Sequence, residues 1–205
     1  LPVATSPSQV EKVNRGLIRD SILFSDKLCI NPANIAVDGN DIPVDGNDIR
    51  LHAGKGPAGI ISLGCMHPDY EDYKRELVFL KSNDIPGIKL HPAYQGKDLD
   101  DLRMMRIIDA ASELDMIVLT HAGIDIGIPD HDFASVAHIL RVIREIRPPK
   151  FVLAHMGGWG CWDDVERDLA GADVWFDTSF SIGPIKRLPG DPVTPLLSSN
   201  LSDVD

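Results

Sequence analysis

Apolar residues occur along the chain in short continuous runs that alternate with longer stretches of helical periodicity. The runs have the length of strands and are almost uninterrupted, as expected of strands covered by helices on both faces. They span residues 60–65, 87–90, 116–120, 151–154 and 174–177, and residues 1–3 look like the end of another. A strand followed by a helix, repeated five times, indicates a parallel sheet built from βα units.

Residues 6–25 are predicted to form the first helix. The sequence Ser-Pro-Ser-Gln predicts Ser6 as the N-cap, Pro7 at the first helical position and Gln9 as the capping-box partner. Four further helices are indicated by apolar residues spaced three or four positions apart: Tyr73, Leu77 and Leu80; Leu102, Met105, Ile108 and Ala111, after a start near 98–101; Val136, Ala137, Leu140 and Ile143; and Trp162, Val165 and Leu169.

A polar segment at 31–59 interrupts this rhythm. It contains the tandem copy VDGNDIP and VDGNDIR at 37–50 and is rich in Pro, Gly, Asn and Asp, which predicts an exposed loop insertion. The residue order does not fit a calcium-binding loop. Because 205 residues can bury one core, we expect a single domain over 1–205 that carries this insertion.

Composition and charge exclude several classes of protein. The content of 43% hydrophobic and 25% charged residues is typical of a globular chain, and the net charge of −11 would repel a nucleic acid backbone. No apolar run reaches the roughly 18 to 20 residues of a membrane span. Three widely spaced cysteines, Cys29, Cys65 and Cys161, match no disulfide framework, so a reducing, cytoplasmic environment is the simpler interpretation.

Polar side chains with metal-binding or catalytic chemistry follow four of the five runs. His91, His121 and His155 stand at such positions together with His67, and Asp177 closes the fifth run. Parallel barrels build their active sites from residues at the carboxyl ends of strands. Since neighbouring strands lie about 4.8 Å apart, His121 and His155 are predicted to meet at one cation. Glycines after each of them leave space for a metal ion and a substrate.

The strings GIKLHP, VLTHAGIDIG, VLAHMGGWG and VWFDTSFS closely resemble the amidohydrolase superfamily, specifically its amidohydrolase-2 group of metal-dependent hydrolases and decarboxylases. The resemblance implies an α/β fold of the (β/α)8 TIM-barrel type, of which this chain would supply about strands 2–7. It also implies a metal site formed by an H-x-H motif on strand one, a histidine on strand five and an aspartate on strand eight, with a further histidine on strand six.

On this resemblance, His121 matches the histidine of strand five, and His155 matches that of strand six, which binds a second metal ion or acts on water or substrate. The sequence contains no H-x-H and no strand-eight aspartate motif after Asp177. We therefore expect an incomplete barrel, truncated at both ends or belonging to a degenerate relative. An open sheet of this kind would tend to associate, so a homo-oligomer is one expected outcome.

Five further residues have both a functional and a structural interpretation. Lys89 shares a strand face with His91 and would bind a substrate carboxylate, form a metal-bridging carbamate as in related barrels, or pair with a buried acid. His91 would line the pocket or cap the strand end. Asp125 and Asp177 would bind the substrate, orient His121 or His155 by hydrogen bonding, or cap helices. Trp159 would wall the substrate pocket or pack between helices.

The resemblance implies metal-assisted hydrolysis of an amide or ester bond in a small carboxylated substrate, with a divalent cation, expected to be Zn²⁺, activating water. His155 and Lys89 are the candidate catalytic residues; His121 and His155 are the candidate metal ligands. A non-hydrolytic decarboxylase of the same group and a catalytically inert barrel fragment remain alternatives.

Overall fold

The computed structural model describes residues 3–27 and 62–181. In these ranges five parallel strands form one sheet in chain order: β1 (Gly64–Cys65), β2 (Gly87–Leu90), β3 (Ile117–Thr120), β4 (Phe151–Leu153) and β5 (Trp175–Phe176). The predicted strands are confirmed, with β1 and β5 shorter than expected. The predicted loop insertion at 31–59 and the start of the predicted strand at 1–3 lie outside the described residues.

Six α-helices accompany the strands in the described ranges: α1 (Val10–Lys27), α2 (Tyr73–Ser82), α3 (Pro92–Gln95), α4 (Leu102–Glu113), α5 (Val136–Glu145) and α6 (Trp162–Asp168). The short α3 was not predicted; it begins at Pro92 directly after β2 and ends at Gly96, whose φ of 63° closes its last turn. Asp101 caps α4 by accepting a hydrogen bond from the amide of Arg103, as its position before the helix indicates. No helix in the described ranges is both long and apolar enough to cross a bilayer.

Two details of the predicted helices are wrong. The chain enters α1 through a 3₁₀ turn at Pro7–Gln9, so the side chain of Ser6 caps nothing, and Gln9 accepts hydrogen bonds from Thr5 instead of Ser6. Leu102 and Ala137, predicted to face the core, are exposed. The buried side chains of α4 include Met104 and Ile107, and those of α5 include Ile139 and Val142.

The sheet separates a helix-covered face from an inner face. Ile88, Leu90, Val118 and Leu153 are fully buried in the main core with the helices. Register partners have side chains on the same face of a sheet, and Lys89 pairs with Leu119, which pairs with Val152. Leu119 packs against Leu63, Ala154 and Val152 in a second, smaller cluster on this inner face. Lys89 therefore projects to the inside of the partial barrel.

Candidate functional site

Three imidazoles meet where β2, β3 and β4 end. Leu90 is the register partner of Thr120, so the residues that follow, His91 and His121, are neighbours on the inner face. Their rings stack with centroids 4.4 Å apart and planes inclined by 14°, which is the separation expected from adjacent strands. His91 thus stands next to His121 because of strand register alone.

His155 reaches the same place by a different route. Alternation along β4 puts Ala154 on the inner face, so a continued strand would turn His155 toward the helices. Instead His155 and Met156 both adopt left-handed backbone conformations, with φ of 60° and 56°. This turn brings the His155 ring against His121 at a centroid distance of 5.0 Å. The predicted meeting of His121 and His155 is present in the structure, although the two residues are not in register.

A chain of hydrogen bonds fixes which imidazole nitrogens carry protons. His155 Nδ1 lies 2.9 Å from the main-chain oxygen of Ser179, which can only accept, so the neutral His155 ring is protonated at Nδ1. His155 Nε2 then accepts from His121 Nδ1 at 3.1 Å. The neutral His121 ring is left with a lone pair on Nε2, and this buried atom has no hydrogen-bond partner among the described residues.

His91 and Asp125 lie beside this unsatisfied nitrogen. His91 Nε2 is 3.6 Å from Asp125 Oδ2, and both side chains are close to fully buried. Asp125 Oδ1 accepts from the amide of Gly127, which orients the carboxylate in its loop. His91 Nδ1 is a second buried nitrogen without a hydrogen-bond partner in the described part of the chain. Two unpaired nitrogens in one place are costly unless a ligand binds them.

The donor set fits a divalent metal ion. His91, His121 and Asp125 each offer a ligand atom, and these atoms lie within 4.8 Å of one another. The 3.1 Å between His121 Nδ1 and His155 Nε2 is also short enough for one cation to contact both nitrogens at the Zn–N distance of about 2.0 to 2.1 Å. His121 belongs to both arrangements of potential ligands.

A second group with metal-ligand chemistry, Asp98, Asp100 and His138, lies away from the three imidazoles. Its atoms are already engaged: His138 Nδ1 is 2.8 Å and Arg141 Nη1 3.2 Å from the Asp100 carboxylate, and His131 binds Asp98 at 2.7 Å. The guanidinium of Arg141 also supplies a positive charge that opposes a cation. This group provides a control for experiments on metal binding.

Burial holds the rings of His91 and His121 neutral. Desolvation, followed by the positive charge of Lys89, lowers the pKa of His91 from its ordinary value of 6.5 to about 4. Desolvation and then the neighbouring His91 and His155 lower the pKa of His121 to about 3. Metal ligation requires neutral imidazole, so the site keeps His91 and His121 ready to bind a cation at neutral pH.

These lowered pKa values predict acid-sensitive folding. The unfolded chain takes up protons on both histidines near pH 6.5, whereas the folded chain resists protonation until pH 4 or below. The free energy of unfolding should therefore fall as the pH drops from 6.5 toward 4, by on the order of 3 kcal/mol for His91 alone. Urea denaturation of the metal-free chain across this pH range measures the slope of the free energy of unfolding against pH. His91→Gln should make this dependence on pH shallower and leave the part due to His121; an unchanged slope in that variant would refute the assignment.

Lys89 occupies the inner face two residues before His91. It is only 7% exposed, and its ammonium forms no hydrogen bond or ion pair within the described ranges. Burial lowers its pKa from 10.5 to about 8, partly opposed by the negative charge of Asp177. The ion pair with a buried acid, one of the alternatives from the sequence, is therefore not formed by the residues described. The structure leaves Lys89 as a cation without a close counter-ion.

An open cleft of about 380 Å³ lies above the three imidazoles. Sequence reasoning identified Trp159 and Asp125 in its lining and missed the other walls: Tyr94, Ile124, Ile126 and Phe180. Tyr94 stacks on His91 at 3.9 Å, and Phe180 packs on Trp159 at 4.8 Å. Tyr94 could have been suspected because it follows His91 by three residues. Nothing in the sequence pattern indicated Phe180, because the path of the chain after β5 brings it to the cleft.

The remaining candidates have mostly structural surroundings. Asp177 accepts from the backbone amide of His155 and touches neither imidazole ring. His67 Nδ1 accepts from the amide of Asp69, which is a structural contact. Trp162 is buried, and its indole donates to the carbonyl of His155 at 2.9 Å. Trp159 does both things that were considered for it, because it lines the cleft and packs edge-on against Trp162.

Comparison with known families assigns the chain. The sequence model of one family, described as amidohydrolase, matches residues 34–194, which is most of the chain. The chain belongs to the amidohydrolase family, and its five parallel strands are part of the TIM barrel of that family. This superfamily comprises metal-dependent enzymes of the hydrolase and decarboxylase type. No curated protein matched the chain.

Proposed function

We propose that this chain carries the metal-binding half of a hydrolase site that cleaves an amide or ester bond in a small carboxylated substrate. The observation that carries the proposal is His121 Nε2, a buried lone pair without a partner among the described residues, at the base of a cleft and beside His91 and Asp125. A nitrogen-rich donor set favours Zn²⁺ over Mg²⁺ or Ca²⁺. We propose a small molecule as the partner, because the cleft has the volume of a small-molecule site.

His121 would hold the metal ion, together with His155 or with His91 and Asp125. A divalent ion bound there lowers the pKa of coordinated water and polarises a carbonyl group. His155 Nδ1 is occupied by the carbonyl of Ser179, and its Nε2 accepts from His121 Nδ1, so His155 would take a proton from water at Nε2 after the hydrogen bond from His121 is given up. Tyr94, Trp159 and Phe180 line the cleft around the imidazoles and would contact the apolar part of a substrate.

Lys89 would bind the carboxylate of the substrate. A buried ammonium without a close counter-ion is costly, and an anion that enters from the cleft would relieve that cost. The low dielectric of the site would strengthen the attraction, since Lys89 is 7% exposed. The substrate is then oriented by its carboxylate with its scissile bond toward His121 and His155.

The test is a product assay on the zinc-loaded protein in water enriched in ¹⁸O, with carboxylated amides and esters and with aromatic or unsaturated acids as substrates. Hydrolysis with ¹⁸O in the released acid supports the proposal. Release of carbon dioxide without ¹⁸O incorporation would favour the decarboxylase alternative instead. Absence of both zinc binding and turnover would favour the catalytically inert barrel fragment.

Lys89→Met should lower kcat/KM by about 10-fold or more for a carboxylated ester. A neutral ester of the same shape is the matched control, and its kcat/KM should be little affected.

A further inference from the structure

Asp177 accepts four hydrogen bonds, two from the end of β4 and two from the segment after β5. Its Oδ1 accepts from the amide of His155 at 3.1 Å and from the amide and hydroxyl of Ser179 at 2.9 and 2.5 Å. Its main-chain oxygen accepts from the amide of Met156 at 2.7 Å. One residue thus supports both residues of the left-handed turn and the residue whose carbonyl contacts the His155 ring.

The turn at His155 and Met156 needs such support. Left-handed conformations are unfavourable for residues with a side chain, and two in succession persist only where surrounding contacts hold them. Within the described residues, the contacts that hold this turn from outside come from Asp177 and from the indole of Trp162. Without the turn, strand alternation would aim His155 away from His121.

The same carboxylate also places the acceptor for His155 Nδ1. Ser179 is drawn back over β5 by its two hydrogen bonds to Asp177, and this leaves its carbonyl oxygen 2.9 Å from His155 Nδ1. A carbonyl only accepts, so it selects the ring form that is protonated at Nδ1 and leaves the lone pair on Nε2, which accepts from His121 Nδ1. Asp177 does not touch the ring itself.

We propose that Asp177 is a positioning residue: through the 155–156 turn and through Ser179 it sets both the direction and the tautomer of His155. The role of His155 in metal binding or proton transfer rests on the proposed function, whereas its tautomer can be observed in the metal-free protein. The two claims therefore fail separately.

The first test is the tautomer of His155, read from the ¹⁵N shifts of its ring in long-range NMR spectra of the metal-free chain at alkaline pH. The wild type should show a protonated Nδ1 and a bare Nε2. Asp177→Ala should give mixed tautomers, whereas Asp177→Asn, which keeps an acceptor oxygen, should retain the wild-type form. Asp173→Asn is the matched control: Asp173 lies just before β5, is exposed and makes no side-chain hydrogen bond among the described residues.

Two results would overturn the proposal. One is a wild-type His155 protonated at Nε2, which decides the matter even if Asp177→Ala does not fold. The other is an Asp177→Ala chain that folds and keeps the wild-type tautomer. Ser179→Ala removes the hydroxyl but not the carbonyl and should leave the tautomer unchanged; a switch in this variant would show that the hydroxyl, not the carbonyl, holds the ring.

The second test is the affinity for Zn²⁺. Residues that orient metal ligands change metal affinity by about 10- to 100-fold when they are lost, so Asp177→Ala should bind Zn²⁺ more weakly by that factor, with Asp173→Asn at the wild-type level. Equal affinities in Asp177→Ala and the wild type would contradict a role of Asp177 in orienting a metal ligand, and would favour His91 and Asp125 as the partners of His121. A wild-type chain that binds no Zn²⁺ would instead remove the proposed function and leave the tautomer result standing.

Discussion

Replacing His121 with Asn should weaken Zn²⁺ binding by more than about 100-fold, a larger loss than that expected for a residue that only orients a ligand. His121 is the one imidazole that takes part in both arrangements of donors seen in the described residues, with His91 and Asp125 or with His155. Asn offers a weakly binding amide oxygen in place of the imidazole lone pair. Competition with a chromophoric chelator measures the change in dissociation constant.

The matched control is His138→Asn, which alters the other group of potential ligands, Asp98, Asp100 and His138. We expect Zn²⁺ affinity close to wild type in this variant, because Arg141 already neutralises Asp100. The opposite result, with affinity lost in His138→Asn and retained in His121→Asn, would place the metal ion outside the cleft.

Replacing Gly123 with Ala should lower the free energy of unfolding by about 3 kcal/mol or more. Gly123 has a φ of 81°, and a Cβ there would lie 2.3 Å from both the amide nitrogen and the carbonyl oxygen of Trp159. The left-handed conformation costs a residue with a side chain about 1–2 kcal/mol, and overpacking against backbone adds about 1–3 kcal/mol. Urea denaturation gives the difference between variant and wild type.

Gly171→Ala separates the two contributions. Gly171 has a similar φ of 84° but nothing within 4 Å of the added Cβ, so only the conformational cost of about 1–2 kcal/mol is expected. Equal losses in the two variants would mean that the close approach of the β3 and β4 loops is unimportant. That approach matters to the cleft because it holds Trp159 in place: the amide of Trp159 donates to the carbonyl of Ala122, and its carbonyl accepts from the amide of Ile124.

The strands could be predicted from the sequence, and so could the positions of His91 and His121 at the ends of neighbouring strands. Continuous apolar runs locate β2, β3 and β4 almost to the residue, because strands buried on both faces are mostly apolar. Each histidine follows its run directly, so its place at the carboxyl edge comes from the direction of the strand. Only the register was missing, and it makes His91, rather than His155, the partner of His121 across the sheet.

The geometry of His155 could not be predicted from the pattern. A period of two places it on the helix side, and only the left-handed turn held by Asp177 returns it to the cleft. From the sequence, Asp177 is a residue that binds the substrate, orients His121 or His155, or caps a helix, and nothing local shows that its carboxylate accepts from the main chain of another strand end. The aromatic wall was missed for the same reason: Phe180 meets Trp159 through tertiary packing alone.

The most direct test of a metal centre at His121 is an anomalous difference map at the zinc edge from crystals of this chain soaked with ZnCl₂. We predict a peak at bonding distance, about 2.0 to 2.1 Å, from a ring nitrogen of His121, with His155 or with His91 and Asp125 as further ligands. Zinc found only at Asp98, Asp100 and His138, or no zinc near His121 at saturating concentration, would contradict the account.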